Sequence, residues 1–293
     1  MPYNITEIMD TWITQRHFPE LKVDCDNNTG SIILSVYTCN ETRWKIPITY
    51  VIISNRTFVY NTPSKILFDC LSNVYTFETD MYDFIIVNVE QMGYYRVNYD
   101  SNNWVKISTH LIYHNYTQIN VLNRAQLIDD AYYFVINGKH DVNTFLYLLK
   151  YLKRESHYVA WYSMFNIFTY MSKYFELPES IRYKSYLSDI LNSLLDKIGY
   201  EEYIKDDDMI KSLRLLGLRW ACKFGHKLCK EAATVKLSLF VTYPSKILPW
   251  WKEWIYCAGM MDASPYLWNQ FLGDQSGIYS QENLTYLACT EHE

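Results

Sequence analysis

Histidines and acids are the side chains of this sequence that could hold a metal ion or move a proton. His110 and His114 in HLIYH are four residues apart, a spacing that places both on one face of a helix. A zinc-peptidase helix of the HExxH type needs a glutamate after the first histidine, but Leu111 stands there. No glutamate lies between His114 and Glu155 to act as a third ligand. We interpret the pair as surface or interhelical histidines.

The segment CKFGHKLC combines two cysteines with a histidine. Cys222, His226 and Cys229 would share one face of a continuous helix, but Gly225 predicts a turn between them. A turn would bring the two cysteines together across a helix–turn–helix. A disulfide is therefore favoured over a metal site, which would lack a fourth ligand.

Five further cysteines complete a total of seven. Cys257 and Cys289, on later predicted helices, form a second candidate pair. Cys25, Cys39 and Cys70 lie in the predicted strand region, and the odd total leaves at least one cysteine unpaired. None of them stands in a recognisable nucleophile setting, so the sequence gives little support to a catalytic cysteine.

Other chemistry-bearing motifs are weak. The run Asp206, Asp207 and Asp208 is most simply a solvated helix start, where carboxylates complement the helix dipole, and a calcium site is the alternative. The sequence contains no GxSxG elbow, no GxxxxGK[ST] loop and no GxGxxG turn.

The segment DFIIVNVEQMGYYRVNYD, residues 83–100, predicts a β-hairpin whose EQMG turn holds Gly93 in the left-handed conformation. Its polar and aromatic residues could form a ligand platform through stacking and cation–π contacts. The alternative is an interdomain seam, where tyrosine and arginine suit a half-buried surface. The seam is the favoured interpretation, and its candidate residues are Tyr94, Tyr95, Arg96 and Tyr99.

Charge and composition restrict the function classes. A net charge of −5 with dispersed Lys and Arg argues against a nucleic-acid partner. The start, MPYNITEIMD, lacks the features of a signal peptide, and the apolar runs fall short of the ~18 residues of a membrane span. Seven cysteines and six glycosylation sequons nevertheless favour a secreted context, with the sequons at Asn4, Asn27, Asn40, Asn55, Asn115 and Asn283. We therefore expect the chain to be the downstream part of a longer protein.

Hydrophobic periodicity predicts the elements. Residues 5–16 have the spacing of one amphipathic helix, and residues 21–100 read as short strands of a β-sandwich. From Asn102 the spacing is helical, and NRAQLIDDAYYFVING predicts a helix behind an Asn cap that ends at Gly138. Further helices are predicted at 141–152, 159–175, 179–198, 209–224, 227–240, 245–258 and 265–272. The predicted fold class is mixed and multidomain, a small β-sandwich followed by an all-α HEAT-like superhelical domain of αα-hairpins.

Four segments in colinear order make the pattern specific. They are IMDTWITQRHFPELKV, RWKIPITYV, FIIVNVEQMGYYRVNYDSNNW and NRAQLIDDAYYFVINGKHDVNTFLYLLKYLKRESHYVAWYS. Together they resemble the C-terminal half of the aminopeptidase N family, zinc exopeptidases of the gluzincin class. The resemblance runs over essentially the whole chain and is clearest up to about residue 165.

The resemblance implies a domain plan. Residues 1–20 would be the terminal helix of a missing catalytic domain, 21–100 a β-sandwich spacer, and 101–293 a HEAT-like helical bowl over the active site, which we expect to be truncated. Cys222–Cys229 and Cys257–Cys289 correspond to two disulfides of secretory family members. The implied location is extracellular or at the plasma-membrane surface through the parent enzyme. The implied partners are the missing domains and peptide substrates, and a homodimer is possible.

Departures from the family pattern decide what this chain can do alone. HExxH, its distal Glu and the GxMEN loop are all absent, and AGMMD at 258–262 resembles GxMEN only superficially. No catalytic or metal-binding residue is carried over. We expect the chain alone to be inactive and zinc to belong to the parent enzyme only. The alternative function is a stand-alone, non-catalytic module that binds a peptide or protein.

Overall fold

The computed structural model describes residues 4–26, 29, 31–37, 44–53, 64–69, 75–78, 83–243, 248–273 and 285–291. The chain forms two compact units, Met1–Tyr151 and Leu152–Glu293. Strands precede helices along the chain, as expected. The predicted fold class, a small β region followed by an all-α region, is confirmed.

In its described residues, the first unit combines two sheets and four α-helices. Its elements are α1 (Ile5–Ile13), β1 (Glu20–Asp26), β2 (Ser31–Val36), β3 (Lys45–Ile53), β4 (Ser64–Asp69), β5 (Tyr75–Glu78), β6 (Phe84–Val87), β7 (Arg96–Tyr99), α2 (Ser101–Tyr113), α3 (Val121–Ile136) and α4 (Val142–Leu149). One sheet has the order β5-β2-β1-β7 and the other β4-β3-β6. All pairings are antiparallel except β1 with β7. Alternate residues along β1 and β2 are buried, as period-2 apolar spacing dictates, and they are Leu21, Val23, Ile32 and Leu34.

The prediction of a β-hairpin at residues 83–100 is wrong. β6 pairs with β3, and β7 pairs in parallel with β1, so the two strands belong to different sheets. Gly93 is not left-handed; Asn88, Glu90 and Gln91 take positive φ angles instead. A hairpin turn signal is local, whereas each strand here has its partner far away in sequence.

Helix α1 is three residues shorter than predicted and attaches to the first unit by one face only. The Asn4 side chain caps it by accepting a hydrogen bond from the Thr6 N–H at 3.0 Å. The Trp12 ring lies edge-on to Trp44 at 5.1 Å, and its Nε1–H donates to the Lys45 carbonyl. The apolar side chains of Ile5, Met9 and Ile13 remain exposed.

The strand-to-helix transition follows Tyr99, but the compact units divide after Tyr151. Helices α2 and α3 pack on the strands and bury Trp104, Ile107 and Ile128 there, so α2–α4 belong to the first unit. The three-part domain assignment made from the sequence stays a prediction.

The second unit is helical. It contains α5 (Tyr158–Met171), α6 (Ile181–Ile198), α7 (Asp208–Lys223), α8 (Lys227–Thr242), α9 (Lys252–Met261) and α10 (Pro265–Gly273). Phe168 on α5 packs with Trp220 and Phe224 at the end of α7, at ring distances of 5.3 and 5.1 Å. Successive helices from α6 to α9 pack on one another, as αα-hairpins do. In the described part of the chain, no helix is long and apolar enough to cross a membrane.

Close approach of α8 and α9 requires a glycine. A Cβ atom built at Gly259 would lie 2.9 Å from the Leu237 Cβ and 3.0 Å from the Ala233 carbonyl oxygen. Any side chain there would push the two helices apart.

Two disulfides link helices of this unit. Cys222 at the end of α7 is bonded to Cys229 in the first turn of α8, and Cys257 on α9 is bonded to Cys289. Their Cα atoms are 5.3 and 5.2 Å apart, an ordinary disulfide separation.

Removing the two disulfides separately is expected to cost different amounts of stability. In the chain-entropy model the cost grows with the closed loop, and sequence separations of 7 and 32 residues correspond to about 2–3 and about 4 kcal/mol. Urea unfolding of the Cys222→Ala/Cys229→Ala and Cys257→Ala/Cys289→Ala variants measures both losses. Cys25→Ala, which removes an unpaired cysteine, is the control. A larger loss for the shorter loop would contradict the expectation.

Candidate functional site

The segment joining β6 to β7, residues 88–95, is held by one buried asparagine, and we call this segment the knuckle. The Asn88 Oδ1 accepts a hydrogen bond from the Gly93 N–H at 2.8 Å. Its Nδ2 donates to the carbonyls of Gly93 at 2.9 Å and Tyr95 at 3.3 Å. One side chain thereby closes a turn whose two flanking strands, β6 and β7, do not hydrogen-bond to each other.

Helix α3 fixes the knuckle from the other side. Asn123 does not cap α3 as predicted, because the helix begins at Val121 behind Asn120. Instead, the Asn123 Nδ2 donates to the Asn88 carbonyl at 2.9 Å, and its Oδ1 accepts from the Glu90 N–H at 2.8 Å.

Three non-glycine residues of the knuckle are left-handed, with φ of 61° at Asn88, 58° at Glu90 and 54° at Gln91. Such conformations are unfavourable and persist where surrounding contacts enforce them, often at functional sites. The bonds from Asn88 and Asn123 supply that enforcement. The knuckle is therefore a rigid loop.

The knuckle presents some side chains and buries others. A Cβ at Gly93 would lie 2.2 Å from the Tyr95 ring, so this position admits only glycine while that ring stays in place. Tyr95 is buried, and burial raises the pKa of its hydroxyl. Met92 and Tyr94 point outward and are 60% and 73% exposed.

Directly after the knuckle, Arg96 joins β7 to α3. Its Nη1 lies 2.6 Å from Asp129 Oδ2 and 2.8 Å from Asp130 Oδ1. The guanidinium also stacks over the Phe18 and Tyr133 rings, at 5.4 and 4.4 Å from their centroids. The two carboxylates raise the pKa of Arg96 overall, although its burial acts in the opposite direction.

Asp130 is the most enclosed charge of this group. Besides Arg96, its Oδ2 accepts hydrogen bonds from the Val97 N–H at 3.0 Å and the Gln126 Nε2 at 3.2 Å. Burial raises the pKa of Asp130 to about 7, against the opposing effects of Arg96 and the Val97 amide.

Tyr99 ties the two sheets together. Its hydroxyl oxygen, on β7, accepts the Val87 N–H of β6 at 2.9 Å, and its ring lies edge-on to Trp104 of α2 at 5.1 Å. Burial raises the pKa of this hydroxyl. The structure thus buries Tyr95 and Tyr99, leaves Arg96 half-buried and places Tyr94 at the surface. Their role as an interdomain seam stays a prediction.

A cleft of about 410 Å³ opens beside the knuckle, within the first unit. Phe18, Met92, Tyr94, Arg96, Gln126 and Asp129 are among the residues that line it. Sequence reasoning named the tyrosines and the arginine but missed Phe18, Asn88, Asp129 and Asp130. The Asp-Asp pair within an apolar helix was a usable signal, because it places a carboxylate on the buried face.

The histidines predicted not to bind zinc are packing residues. The rings of His110 and His114 stack at 5.5 Å, and His110 lies 5.2 Å from Phe84. His226 caps α8, where its Nδ1 accepts the Cys229 N–H at 3.1 Å. Within the described ranges, no group of three or more His, Cys, Asp or Glu side chains could hold a metal ion.

The acidic run has divided roles. Asp207 caps α7 by accepting the Ile210 N–H at 2.8 Å, and Asp208 is exposed, as expected of a solvated helix start. Asp206 differs, because it forms an ion pair at 2.8 Å with the buried Arg214.

Two of the six sequon asparagines, Asn4 and Asn115, lie in the described residues, and both are exposed. The other four, Asn27, Asn40, Asn55 and Asn283, lie outside them, as do Cys39 and Cys70. Cys25 is a free cysteine on β1, and burial, aided by the charge of Asp100, raises its pKa to about 12. A thiol of this kind is a poor nucleophile at neutral pH.

The raised pKa of Asp130 predicts a pH-dependent stability. Because the folded-state pKa of about 7 exceeds the ordinary 3.8, the folded state gains stability from this proton at low pH and loses it as pH rises towards 7. From pH 4 to pH 8, the unfolding free energy of wild type should therefore fall relative to that of Asp130→Asn by up to about 4 kcal/mol. Urea unfolding across that range measures it, with Asp189→Asn, which changes an exposed carboxylate of the second unit, as the control. A difference independent of pH would rule out the assignment.

Comparison with known proteins identifies a matching family model and several relatives. The family model for the ERAP1-like C-terminal domain matches residues 84–291. The chain is 26% identical over 307 residues to aminopeptidase N of Plutella xylostella, covering 99% of this chain and 32% of that protein. It is 25% identical to membrane alanyl aminopeptidase of Manduca sexta, covering 97% and 30% of the two chains. Against the human thyrotropin-releasing hormone-degrading ectoenzyme, the identity is 24%, with 98% and 29% covered.

The chain spans about a third of the length of these relatives, and its counterpart in them is their C-terminal region. The family model extends from β6 almost to the last residue and so covers the knuckle, Arg96 and the helices. The resemblance found in the four sequence segments is confirmed. The chain therefore belongs to the ERAP1-like C-terminal domain family, as a C-terminal portion of the aminopeptidase N family.

Proposed function

We propose that this chain is the C-terminal portion of an aminopeptidase N-like zinc metallopeptidase that removes N-terminal residues from peptides. The observation that carries the proposal is the coverage: nearly the whole chain aligns with about a third of each relative, in the region of a C-terminal family domain. In this proposal, residues 1–20 are the terminal helix of the catalytic domain, 21–100 the spacer and 101–293 the helical bowl.

The contribution of this portion is steric and not chemical. A wall of packed helices around the far end of a peptide restricts its positions and excludes chains that offer no free N-terminus. Interhelical packing at Gly259 and the two disulfides make the helical unit rigid enough for that task.

Zinc does not fit the donor set of the residues that the structure describes. HExxH, a distal Glu and GxMEN are absent from the sequence, and His110, His114 and His226 are engaged in packing or helix capping. The activated water of the peptidase reaction is therefore assigned to the missing catalytic domain. The same division leaves substrate preference to that domain.

An extracellular or plasma-membrane location through the parent enzyme is part of the proposal. The Manduca sexta relative is named a membrane enzyme and the human one an ectoenzyme. Two disulfides and the exposed sequons Asn4 and Asn115 support an oxidising, secretory route.

A second function, a stand-alone module that binds a peptide or protein, is favoured by one observation. The first unit has a preformed cleft flanked by the exposed side chains of Met92 and Tyr94. Exposed aromatic and methionine side chains are typical of interaction surfaces.

The native polypeptide is expected to be about three times as long as this chain, because the chain covers 32% of its Plutella xylostella relative. An antibody raised against residues 152–293 should detect a protein of about that size on a blot of source tissue. The immunoprecipitate should hydrolyse an alanyl-anilide substrate and lose activity with a zinc chelator. A predominant product of 35.0 kDa, without hydrolytic activity, would favour the stand-alone module.

The purified chain alone is expected to show no aminopeptidase activity, since it lacks the ligands that activate a zinc-bound water. Alanyl-anilide hydrolysis with added zinc measures this, and a full-length insect aminopeptidase N serves as positive control. Bestatin-sensitive turnover by the 293-residue chain would contradict the division of roles.

A further inference from the structure

We propose that the cleft beside the knuckle binds the cationic side chain of an extended peptide segment, with arginine as the preferred residue. This site goes beyond the proposed spacer function, and its test does not depend on the length of the native polypeptide.

Charge complementarity is the first argument. Among the described residues that line the cleft, Arg96 is the single cation, and it faces two carboxylates, Asp129 and Asp130. Glu90 is an exposed carboxylate on the same loop but is not among the lining residues, so Asp129 and Asp130 supply the negative charge of the cleft. Lys139, in the turn after α3, is paired with Glu20. The cleft therefore carries an excess of negative charge that a guanidinium or ammonium group would neutralise.

Asp129 is the accessible part of that charge. Its side chain is 47% exposed, whereas that of Asp130 is 4% exposed. Arg96 binds both carboxylates through Nη1. A second guanidinium could bind Asp129 from the solvent side without displacing Arg96 from Asp130.

Aromatic side chains form the wall of the cleft. Phe18 and Tyr94 lie edge-to-face with centroids 5.9 Å apart, and Phe18 already stacks with the Arg96 guanidinium. Planar guanidinium groups are favoured over ammonium on such surfaces because they stack as well as attract. Met92 and the exposed Tyr94 would contact an apolar residue next to the arginine.

Size and rigidity agree with a bound side chain. A volume of about 410 Å³ lies within the range of small-ligand sites, about 300–1,000 Å³, and accommodates one long side chain with its backbone. The hydrogen bonds from Asn88 and Asn123 hold the knuckle in its left-handed conformation before any ligand arrives. Little ordering entropy is then lost on binding.

Isothermal titration calorimetry with two peptides tests the charge requirement. The probe is acetyl-Leu-Arg-Leu-amide, and the control is the same peptide with citrulline, which has nearly the same shape but no charge. At pH 8 and low salt, the arginine peptide should bind at least about 10-fold more tightly than the citrulline peptide. This difference in affinity corresponds to the free energy of one charge-assisted hydrogen bond. Equal affinity of the two peptides, or no binding of either at millimolar concentration, overturns the proposal.

Variants of the 293-residue chain locate the site. Asp129→Asn and Tyr94→Ala change exposed or half-exposed side chains, and each should weaken arginine-peptide binding by about 5-fold or more. Asp189→Asn is the matched control, because Asp189 is also an exposed carboxylate paired with a lysine, Lys153, but lies in the second unit. Thermal unfolding checks that each variant is folded. Binding that is unchanged in Asp129→Asn, or weakened equally in Asp189→Asn, also overturns the proposal.

Discussion

The ion pair between Arg96 and Asp130 is the interaction on which the first unit depends. It joins the last strand to α3, and the same carboxylate also accepts the Val97 amide of that strand. A buried ion pair is costly unless its remaining hydrogen-bonding groups are satisfied. Here the Asp130 carboxylate also accepts a hydrogen bond from Gln126, while Arg96 also binds Asp129 and stacks on two aromatic rings. Loss of Arg96 would leave the Asp130 carboxylate buried without its cation.

The knuckle and the cleft follow from that junction. Arg96 fixes the end of the loop, Asn88 closes it, and Asn123 of α3 holds its left-handed residues. Because one helix supplies both Asn123 and Asp130, the loop and the ion pair keep the same spacing relative to each other. The exposed residues Met92 and Tyr94 are presented by this rigid base.

Local signals in the sequence predicted much of the fold, and non-local pairings were missed. The change from strand to helical spacing after Tyr99, the end of α3 near Gly138 and the turn between Cys222 and Cys229 depend on near neighbours, and all are observed. The hairpin failed because partner choice for β6 and β7 is decided by strands far away in the chain. The sequence offered a ligand platform around Arg96 only as the less favoured alternative to a seam. It missed Phe18 and Asp129, because they reach Arg96 from distant segments.

The parallel pairing of β1 with β7 has a consequence for biosynthesis. Glu20–Val23 must wait for Arg96–Tyr99 to emerge from the ribosome before the sheet can close, and Asp130 follows still later. Until then, that edge of β1 stays unpaired, and an unpaired strand edge can pair with other chains.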